Sequence, residues 1–425
     1  MKRTLLLTIF FALLLAALSA CGAGATDAPP PTHTVEPTKP RPTIPATWTP
    51  APTDTPTITP TPTLQPMLTP TAGPTPVGGT GKAVFALARR SEGNLLSEGV
   101  FVYDFAAKQI SQPLEAGFDL QAISPDGLFI LANQGASLWL VRLSNPTERM
   151  LLAEDFYALG RQGATWSKDG KYVVAILKRN NLNGLYSKTF NSVPAAPAAL
   201  EQTVSLEEWK ELNTAGYQPI ELYPSPGAAR IYWANGSCNA PGDCTRIQVF
   251  RSPVEGTVGE EVTLLERPQF TADIAWMAYL TFYNNQRYLA VGTLNRSAVF
   301  TPFLGGGTVS DYAWSPVENK LAALSVDRSD YSGAVAGIRL FLMQEPDFVA
   351  EEKTPIDGIN GRLAWSDDGK VLLVTSTVQL ESGYRIAFHL HDLVAPSMET
   401  LDEQINLTSP DFIYITNIYW LPSYW

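Results

Sequence analysis

A short motif built on Trp, Ser and Asp-Gly recurs through the chain after residue 120, and it constrains the fold more than any other feature. Its copies are Ala-Ile-Ser-Pro-Asp-Gly at 122–127, Thr-Trp-Ser-Lys-Asp-Gly-Lys at 165–171, Ala-Trp-Ser-Pro at 313–316 and Ala-Trp-Ser-Asp-Asp-Gly-Lys at 364–370. Each copy leads into an apolar segment. A spacing of roughly 40–55 residues is typical of a four-stranded unit repeated around a ring, so the sequence predicts an all-β propeller.

The number of motif positions predicts the number of blades. The positions are Ile123, Trp166, a degenerate one near Tyr223, Trp276, Trp314, Trp365 and Trp420. The chain stops soon after Trp420, whereas the segments 82–87 and 99–105 indicate strands without an opening motif. We therefore expect strands from both ends of the chain to share one blade, which removes open sheet edges. Seven blades are favoured, and six is the alternative if Tyr223 or Ile123 does not mark a blade.

The motif has a physical logic of its own. Its Asp-Gly pairs make tight turns, because Gly tolerates positive φ and Asp caps its own backbone; these pairs are Asp126-Gly127, Asp169-Gly170 and Asp368-Gly369. Residues before each turn should form the innermost strand of a blade, and those after it the next strand. The tryptophans recur at one repeat position, which favours packing between blades over an aromatic ring for sugar binding.

These motifs resemble the Trp-Ser-Pro-Asp-Gly-Lys repeat of TolB-type, WD-like β-propellers, and the resemblance covers 82–425. It implies the propeller fold and says little about activity. TolB itself is a periplasmic, protein-binding propeller, and other members of the family gate peptidases. This chain differs from TolB in its N-terminus and in lacking an obvious α/β domain before the propeller.

The N-terminus predicts export and a lipid anchor. Lys2 and Arg3 precede an uncharged apolar run over 5–18, too short for a comfortable membrane span but suited to a signal peptide. The following Leu-Ser-Ala-Cys at 18–21 resembles a bacterial lipobox. That resemblance implies removal of 1–20, then diacylglycerol and a further acyl chain such as palmitate on Cys21. The alternative is an ordinary secretory signal with a chance cysteine. We expect attachment to the cell membrane or outer membrane, on the extracytoplasmic side.

Residues 21–80 predict a disordered stalk, and 81–425 the propeller. The region 28–80 contains 16 of the 34 prolines, many in Thr-Pro steps, so it forms few backbone ladders and buries little. Such a segment would act as a spacer between the lipid and the folded domain. O-glycosylation of its threonines is an open alternative.

Composition excludes one class of partner and predicts one covalent link. The formal net charge is −11, and no basic run follows the signal peptide, which argues against nucleic-acid binding. The two cysteines beyond Cys21 are Cys238 and Cys244, in a polar Gly/Pro-containing loop. In an exported protein they are expected to form a disulfide, with two free thiols as the alternative. No metal site is expected there.

An insertion at 205–216 predicts a helix. Ser205 and Glu208 fit a capping box, and Gly216 fits a C-terminal cap. Leu206, Trp209 and Leu212 would share one face, either packed against the propeller or forming a lid.

The sequence does not contain a recognisable catalytic motif. The folded part has only His389 and His391, which share one face of a predicted strand and could hold a metal, although a partly exposed strand face is the favoured interpretation. We expect no cofactor or metal. The leading hypothesis is non-catalytic binding of a protein or an envelope or extracellular polymer. The alternatives are a glycan-active enzyme with a carboxylate pair in the central channel and a structural subunit of an envelope complex.

Overall fold

The computed structural model describes residues 81–157, 162–167, 169–190, 208–212, 218–224, 231–235, 246–250, 258–263, 266–283, 286–293, 298–304, 307–329, 334–394, 397–401 and 407–421. The predicted signal peptide and stalk, Cys21, Cys238 and Cys244 therefore lie outside the described residues. All the regular secondary structure in the described ranges is β-strand. A search of the same ranges finds no helix with the length and apolar character needed to span a membrane.

The strands are numbered in chain order. The first fifteen are β1 (Lys82–Ser91), β2 (Asn94–Asp104), β3 (Gln109–Leu114), β4 (Phe118–Ile123), β5 (Phe129–Gln134), β6 (Ser137–Arg142), β7 (Arg149–Ala153), β8 (Ala164–Trp166), β9 (Tyr172–Arg179), β10 (Leu182–Thr189), β11 (Lys210–Leu212), β12 (Pro219–Pro224), β13 (Ile231–Asn235), β14 (Arg246–Phe250) and β15 (Val258–Thr263). The others are β16 (Glu266–Phe270), β17 (Trp276–Tyr283), β18 (Gln286–Thr293), β19 (Val299–Phe300), β20 (Thr308–Trp314), β21 (Lys320–Ser329), β22 (Ala334–Gln344), β23 (Glu351–Ile356), β24 (Ile359–Trp365), β25 (Val371–Leu380), β26 (Gly383–Asp392), β27 (Ser397–Thr400), β28 (Thr408–Ser409) and β29 (Phe412–Leu421).

Within the described residues these strands form seven sheets, which we number as blades 1 to 7. Blade 1 has the order β29-β1-β2-β3. Blades 2 to 7 are β4–β7, β8–β11, β12–β15, β16–β19, β20–β23 and β24–β27, and β28 also pairs with β26. Neighbouring strands within a blade are antiparallel. The first strand in each blade order contacts its counterpart in the next blade around a closed ring. The predicted all-β propeller fold is confirmed.

The two ends of the described chain meet in blade 1. Strand β1 pairs with β29, and the register places Ala83 opposite Trp420 and Val84 opposite Tyr419. Lys82 lies opposite Leu421, so the chain enters the ring where β29 ends. We call this side the turn face, because it also carries the motif turns at 124–128, 167–171 and 366–370. The shared blade closes the ring as the sequence predicts.

The motif turns are closed by hydrogen bonds that repeat from blade to blade. In blade 7 the Ser366 hydroxyl donates to Asp368 Oδ1 at 2.7 Å and accepts from the Val371 N–H at 2.9 Å. The Lys370 N–H donates to the same Asp368 oxygen at 3.1 Å. Gly369 has a φ of +69°, which explains the glycine. Burial raises the pKa of the Asp368 carboxyl, but these hydrogen bonds outweigh it and leave the pKa below its usual value.

The interpretation of Trp276 needs correction. The motif spacing predicts Trp276 at the end of an innermost strand, but this residue opens β17, the second strand of blade 5. The innermost strand is β16, and the turn begins at Thr271, whose hydroxyl donates to Asp273 at 2.6 Å. Trp276 donates its N–H to Thr271 at 3.0 Å, as Val371 does to Ser366. Phe270 therefore occupies the tryptophan position of this blade.

The helix predicted at 205–216 is also wrong over its described part. Residues 208 and 209 have no regular secondary structure, and β11 at 210–212 pairs with β10 as the outer strand of blade 3, with Leu212 opposite Leu185. The Trp209 indole N–H donates to the Leu152 carbonyl of blade 2 at 2.8 Å. The pairing of β11 with the outer edge of β10 and the contact of Trp209 with blade 2 outweigh the helix-capping residues of this segment.

Buried clusters between neighbouring blades form the core. Trp166 packs with Phe129 between blades 2 and 3, Trp314 with Leu280 between blades 5 and 6, and Trp365 between blades 6 and 7. The tryptophans at these three motif positions are at most 8% exposed. Trp420 is half-buried and stacks on Phe105, with the ring centroids 4.6 Å apart.

Tyr103 is buried in the core between blades 1 and 7, and its raised pKa predicts that the protein becomes less stable at alkaline pH. Burial, and then the charges of Glu399 and Asp104, raise its pKa from 10 to about 12. The unfolded chain therefore loses this proton first, and the free energy of unfolding falls as the pH rises from 10 towards 12. We expect a loss of about 1.4 kcal/mol by pH 11 from this residue alone. Urea unfolding of wild type and of Tyr103→Phe at pH 8 and pH 11 measures this loss. An equal change in the free energy of unfolding between the two pH values in both proteins would contradict the prediction.

Candidate binding funnel

The innermost strands share a defect in register at the same depth. In six of the seven described blades the pairing of the inner strand with its neighbour shifts, which is the signature of a β-bulge. The bulges place extra residues on the inner strands; these residues are Gln121, Ile220, Arg267-Pro268, Ser310, Asn360-Gly361 and Thr416-Asn417. A bulge re-aims side chains, so this ring of defects directs polar groups towards the axis of the propeller.

A cavity of about 780 Å³ lies on that axis and is lined by all seven inner strands. Polar residues of the inner strands form its floor together with Gln162, which precedes β8; the strand residues include Glu221, Arg267, Asp311 and Arg362. Its walls extend to residues of the motif turns, so the cavity opens on the turn face; those residues are Pro125, Ser167 and Ala272. We call this cavity the funnel.

A buried ion pair dominates the floor. Arg267 of blade 5 donates through Nη2 to Asp311 Oδ1 of blade 6 at 2.9 Å, and the two side chains are only 19% and 8% exposed. The Leu363 N–H of blade 7 donates to the other Asp311 oxygen at 3.1 Å. Asp311 therefore connects three consecutive blades.

The Arg267 backbone and side chain are held in place by their neighbours. The Tyr312 hydroxyl donates to the Arg267 carbonyl, and the guanidinium lies 5.6 Å from the centre of the Tyr312 ring. Burial alone would lower the pKa of the guanidinium, but Asp311, Tyr312 and Glu221 raise it above its ordinary value. Arg267 is thus a fixed positive charge at the base of the funnel.

Blade 4 contributes a second polar pair. The Tyr223 hydroxyl donates to Glu221 Oε2 at 2.9 Å. Burial first, and then the Glu221 carboxylate, raise the pKa of the Tyr223 hydroxyl well above its ordinary value. Tyr223 therefore lines the funnel as a neutral hydrogen-bonding aromatic group.

Hydrogen bonds continue around the ring beyond these groups. Arg362 of blade 7 donates through Nε to the Thr416 carbonyl of blade 1 at 3.1 Å. The Thr416 hydroxyl donates to Asp119 Oδ1 of blade 2 at 3.1 Å, and burial raises the pKa of that carboxyl despite this bond. The Gly163 N–H of blade 3 donates to Gln121 Oε1 of blade 2 at 2.7 Å. The Leu222 N–H of blade 4 then donates to the Gln162 carbonyl of blade 3 at 2.7 Å.

These contacts make the floor a preorganised belt of polar groups. Each named side chain is positioned by a partner, usually on another blade, so the funnel does not need to rearrange before a ligand enters. The upper walls add apolar and aromatic surface; the residues concerned include Ile123, Pro224 and Tyr419. A concave site with apolar walls and a few fixed polar groups is suited to binding.

The predicted motif residues have two locations relative to this site. Ile123, Trp166 and Trp314 line the funnel with at least part of their surface, whereas the indole of Trp365 donates to the Ala313 carbonyl at 2.9 Å in the blade junction. The carboxylates of the Asp-Gly turns are committed to their own turns on the turn face. The motif therefore shapes the funnel mouth, and polar residues at or directly after the inner-strand bulges, such as Arg267, Asp311 and Arg362, supply its chemistry.

His389 and His391 lie elsewhere, between the outer parts of blades 6 and 7. They are 8% and 5% exposed, so they do not form the partly exposed strand face considered above. Burial, and then the proximity of His389, lower the pKa of His391 to about 4. In the described ranges His, Cys, Asp and Glu do not form any group of three or more with metal-binding geometry.

The polar funnel residues escaped sequence reasoning, although one signal for them exists. Arg267, Asp311 and Arg362 each stand four residues before the hydroxyl residue of a motif turn, namely Thr271, Ser315 and Ser366. A charge at a fixed offset within a buried inner strand is unusual, because charges are rarely buried unless they are paired.

Comparison with known proteins finds distant structural neighbours alone. The chain does not match any protein-family model or curated protein sequence. Among solved structures, TolB from Acinetobacter baumannii is 12% identical with a TM-score of 0.42, over 80% of this chain and 67% of that chain. Oligogalacturonate lyase from Vibrio parahaemolyticus is 11% identical with a TM-score of 0.48, over 76% and 86% of the two chains. At this distance the likeness concerns the propeller fold alone.

Proposed function

We propose that this protein is a lipid-anchored, extracytoplasmic propeller that binds a protein segment or an envelope or extracellular polymer in the funnel, without changing it chemically. The observation that carries this proposal is the cross-bonded floor. Both oxygens of Asp311 accept hydrogen bonds, one from Arg267 and one from the Leu363 N–H. The Asp311 carboxylate therefore links neighbouring blades of the ring. The funnel floor then offers a fixed surface for recognition of a ligand.

The dimensions and lining of the funnel support binding of an extended or branched group. Its volume of about 780 Å³ falls within the usual range for ligand pockets, roughly 300–1,000 Å³. Tyr223 and Tyr419 provide aromatic surface, while Gln162 and Glu221 provide hydrogen-bonding groups. Both a peptide and a sugar chain present this combination of apolar faces and polar edges.

Anchoring through Cys21 is the second part of the proposal. Acylation of Cys21 would hold the protein on a membrane, because each buried methylene contributes about 0.8 kcal/mol. The segment 21–80 would then act as a spacer. Replacement Cys21→Ser is expected to abolish metabolic labelling with palmitate and to move the protein from the membrane fraction to the soluble fraction. Unchanged labelling would remove the anchor from the proposal.

The binding part is tested by obstructing the funnel mouth. Ala272 is exposed in a motif turn and lines the mouth, so Ala272→Arg should block access without disturbing the floor. Ala107→Arg, at an exposed turn in the outer half of blade 1, is the matched control. Pull-downs from envelope extracts should recover a partner with wild type and Ala107→Arg, and at least about tenfold less with Ala272→Arg. Equal recovery with all three proteins would exclude the funnel as the binding site.

Glu221 favours a second candidate, a glycan-active enzyme, because its carboxylate lines the funnel and accepts a hydrogen bond from Tyr223. A carboxylate positioned in this way could act as an acid or base. Incubation with polyuronate and peptidoglycan fragments distinguishes the two functions. Cleavage that is lost in Glu221→Gln would establish the enzyme and refute non-catalytic binding.

A further inference from the structure

His389 and His391 point to the same side of β26, towards blade 6. Phe388, which precedes His389, and Leu390, which lies between the two histidines, belong to the cluster shared with blade 1. In register, His389 lies opposite Val374 and His391 opposite Leu372, and both of these partners pack in the cluster between blades 6 and 7. Directly opposed residues share one face of a sheet, so the two imidazoles occupy that blade junction.

A thioether lies beside them. Strand β27 pairs with β26 so that Met398 is directly opposite His391, and Thr400 is opposite His389. The Thr400 hydroxyl lies 3.4 Å from His389 Nδ1. Met398 is 45% exposed, whereas His391 is 5% exposed. The pair therefore joins a buried nitrogen ligand to an accessible sulfur ligand.

A groove reaches this cluster from solvent. It has a volume of about 560 Å³ and is lined by His391 and Met398, with Leu340 and Leu342 of blade 6 on the facing wall. Its charged lining has more carboxylates than amines and so favours a cation. The carboxylates belong to Glu345, Asp347, Glu351 and Asp392, and the amines to Lys320 and Lys353.

The buried nitrogen lacks a hydrogen-bond partner. His391 Nε2 is inaccessible to solvent and makes no hydrogen bond with the described residues. A buried polar atom of this kind destabilises the folded protein unless something satisfies it. His391 lines the groove, follows His389 by two positions on β26 and lies opposite Met398 in register, and these neighbours indicate what would satisfy the nitrogen.

We propose that His389, His391 and Met398 form a binding site for a monovalent copper ion at the outer junction of blades 6 and 7. Imidazole and thioether are ligands that Cu(I) accepts, whereas magnesium, calcium and manganese prefer carboxylates and carbonyls. The apolar wall of Leu340 and Leu342 would exclude water from the bound ion. This site is separate from the funnel and independent of its ligand.

Anaerobic titration of the full-length protein with Cu(I), against a chromophoric competitor such as bicinchoninate, tests the proposal. All three cysteines are replaced by serine to remove thiol ligands, and circular dichroism checks the fold. We expect one Cu(I) per chain. Met398→Leu preserves volume at an exposed position, and it should weaken binding by at least about tenfold. His391→Phe should do the same, while His33→Gln and Met67→Leu, outside the propeller, should bind like the parent.

X-ray absorption at the copper edge supplies an independent readout. The parent protein should show nitrogen and sulfur scatterers around Cu(I), and Met398→Leu should lose the sulfur. Failure of the parent to compete for Cu(I), or full retention of affinity and of the sulfur signal in Met398→Leu, would overturn the proposal. Loss of binding in His33→Gln or Met67→Leu would overturn it equally, because it would place the ion outside blades 6 and 7.

Discussion

Replacing Asp311 with alanine is expected to lower the free energy of unfolding by about 3–5 kcal/mol. The change leaves the Arg267 guanidinium buried without its partner at 2.9 Å, and it removes the acceptor of the Leu363 N–H. Breaking a buried pair from one side costs far more than the pair contributes, because the remaining charge stays desolvated. Urea unfolding followed by tryptophan fluorescence measures the loss.

Two companion variants show whether the buried charge is the cause. The double variant Asp311→Leu, Arg267→Met removes both charges, so we expect it to be more stable than Asp311→Ala. Glu115→Ala breaks the exposed ion pair with Arg149, where the atoms are 3.0 Å apart and the side chains are 60% and 37% exposed. That change should cost less than about 1 kcal/mol. Asp311→Ala within 1 kcal/mol of wild type would mean that the belt does not stabilise the ring.

The blade framework could be predicted from sequence because each blade repeats a local signal. The Ser-x-Asp-Gly turn is closed by bonds within a few residues, as in Ser366 to Val371. Such a turn fixes where one strand ends and the next begins, so strands on both sides of Trp166 and Trp365 were located correctly. The sharing of blade 1 followed from an unmatched strand at each end of the chain.

Two errors arose where local signals competed with longer-range pairing. In blade 5 the turn uses Thr271 and Asp273 without the glycine, so the prominent Trp276 was aligned six residues too late. In blade 3 the segment around Trp209 carries helix-capping residues, but β10 needs an outer partner and the Trp209 indole needs the Leu152 carbonyl. Neither requirement can be seen within a short window of sequence.

The funnel escaped sequence reasoning for a different reason. Its polar groups meet through bulges on separate inner strands, and Asp311 and Arg267 are 44 residues apart. A bulge changes side-chain direction without changing composition, so Gln121 or Thr416 reads as an ordinary strand residue. The copper proposal has the same origin, since Met398 joins His391 only through the register of β27 on β26.

Replacing Trp365 with alanine is expected to cost about 3–5 kcal/mol, the usual range for a large aromatic side chain in a core. Trp365 is 7% exposed and packs in the cluster between blades 6 and 7. Its indole also donates to the Ala313 carbonyl of the neighbouring blade at 2.9 Å. Truncation therefore leaves a cavity and an unpaired carbonyl at a junction that must close for the ring to close. The midpoint of urea unfolding measures the loss.

Trp365→Phe is the intermediate variant, because it keeps a six-membered aromatic ring in the junction and loses the five-membered ring of the indole with its N–H bond. We expect it to cost about 1–3 kcal/mol, less than the alanine variant. The pair of variants also decides between the two interpretations of the motif tryptophans. A tryptophan that served mainly as a sugar platform would lose ligand binding on truncation while the unfolding midpoint stayed the same. If the tryptophan packs in the core of the blade junction, its truncation lowers the free energy of unfolding. Any loss of ligand binding then follows from opening of that junction.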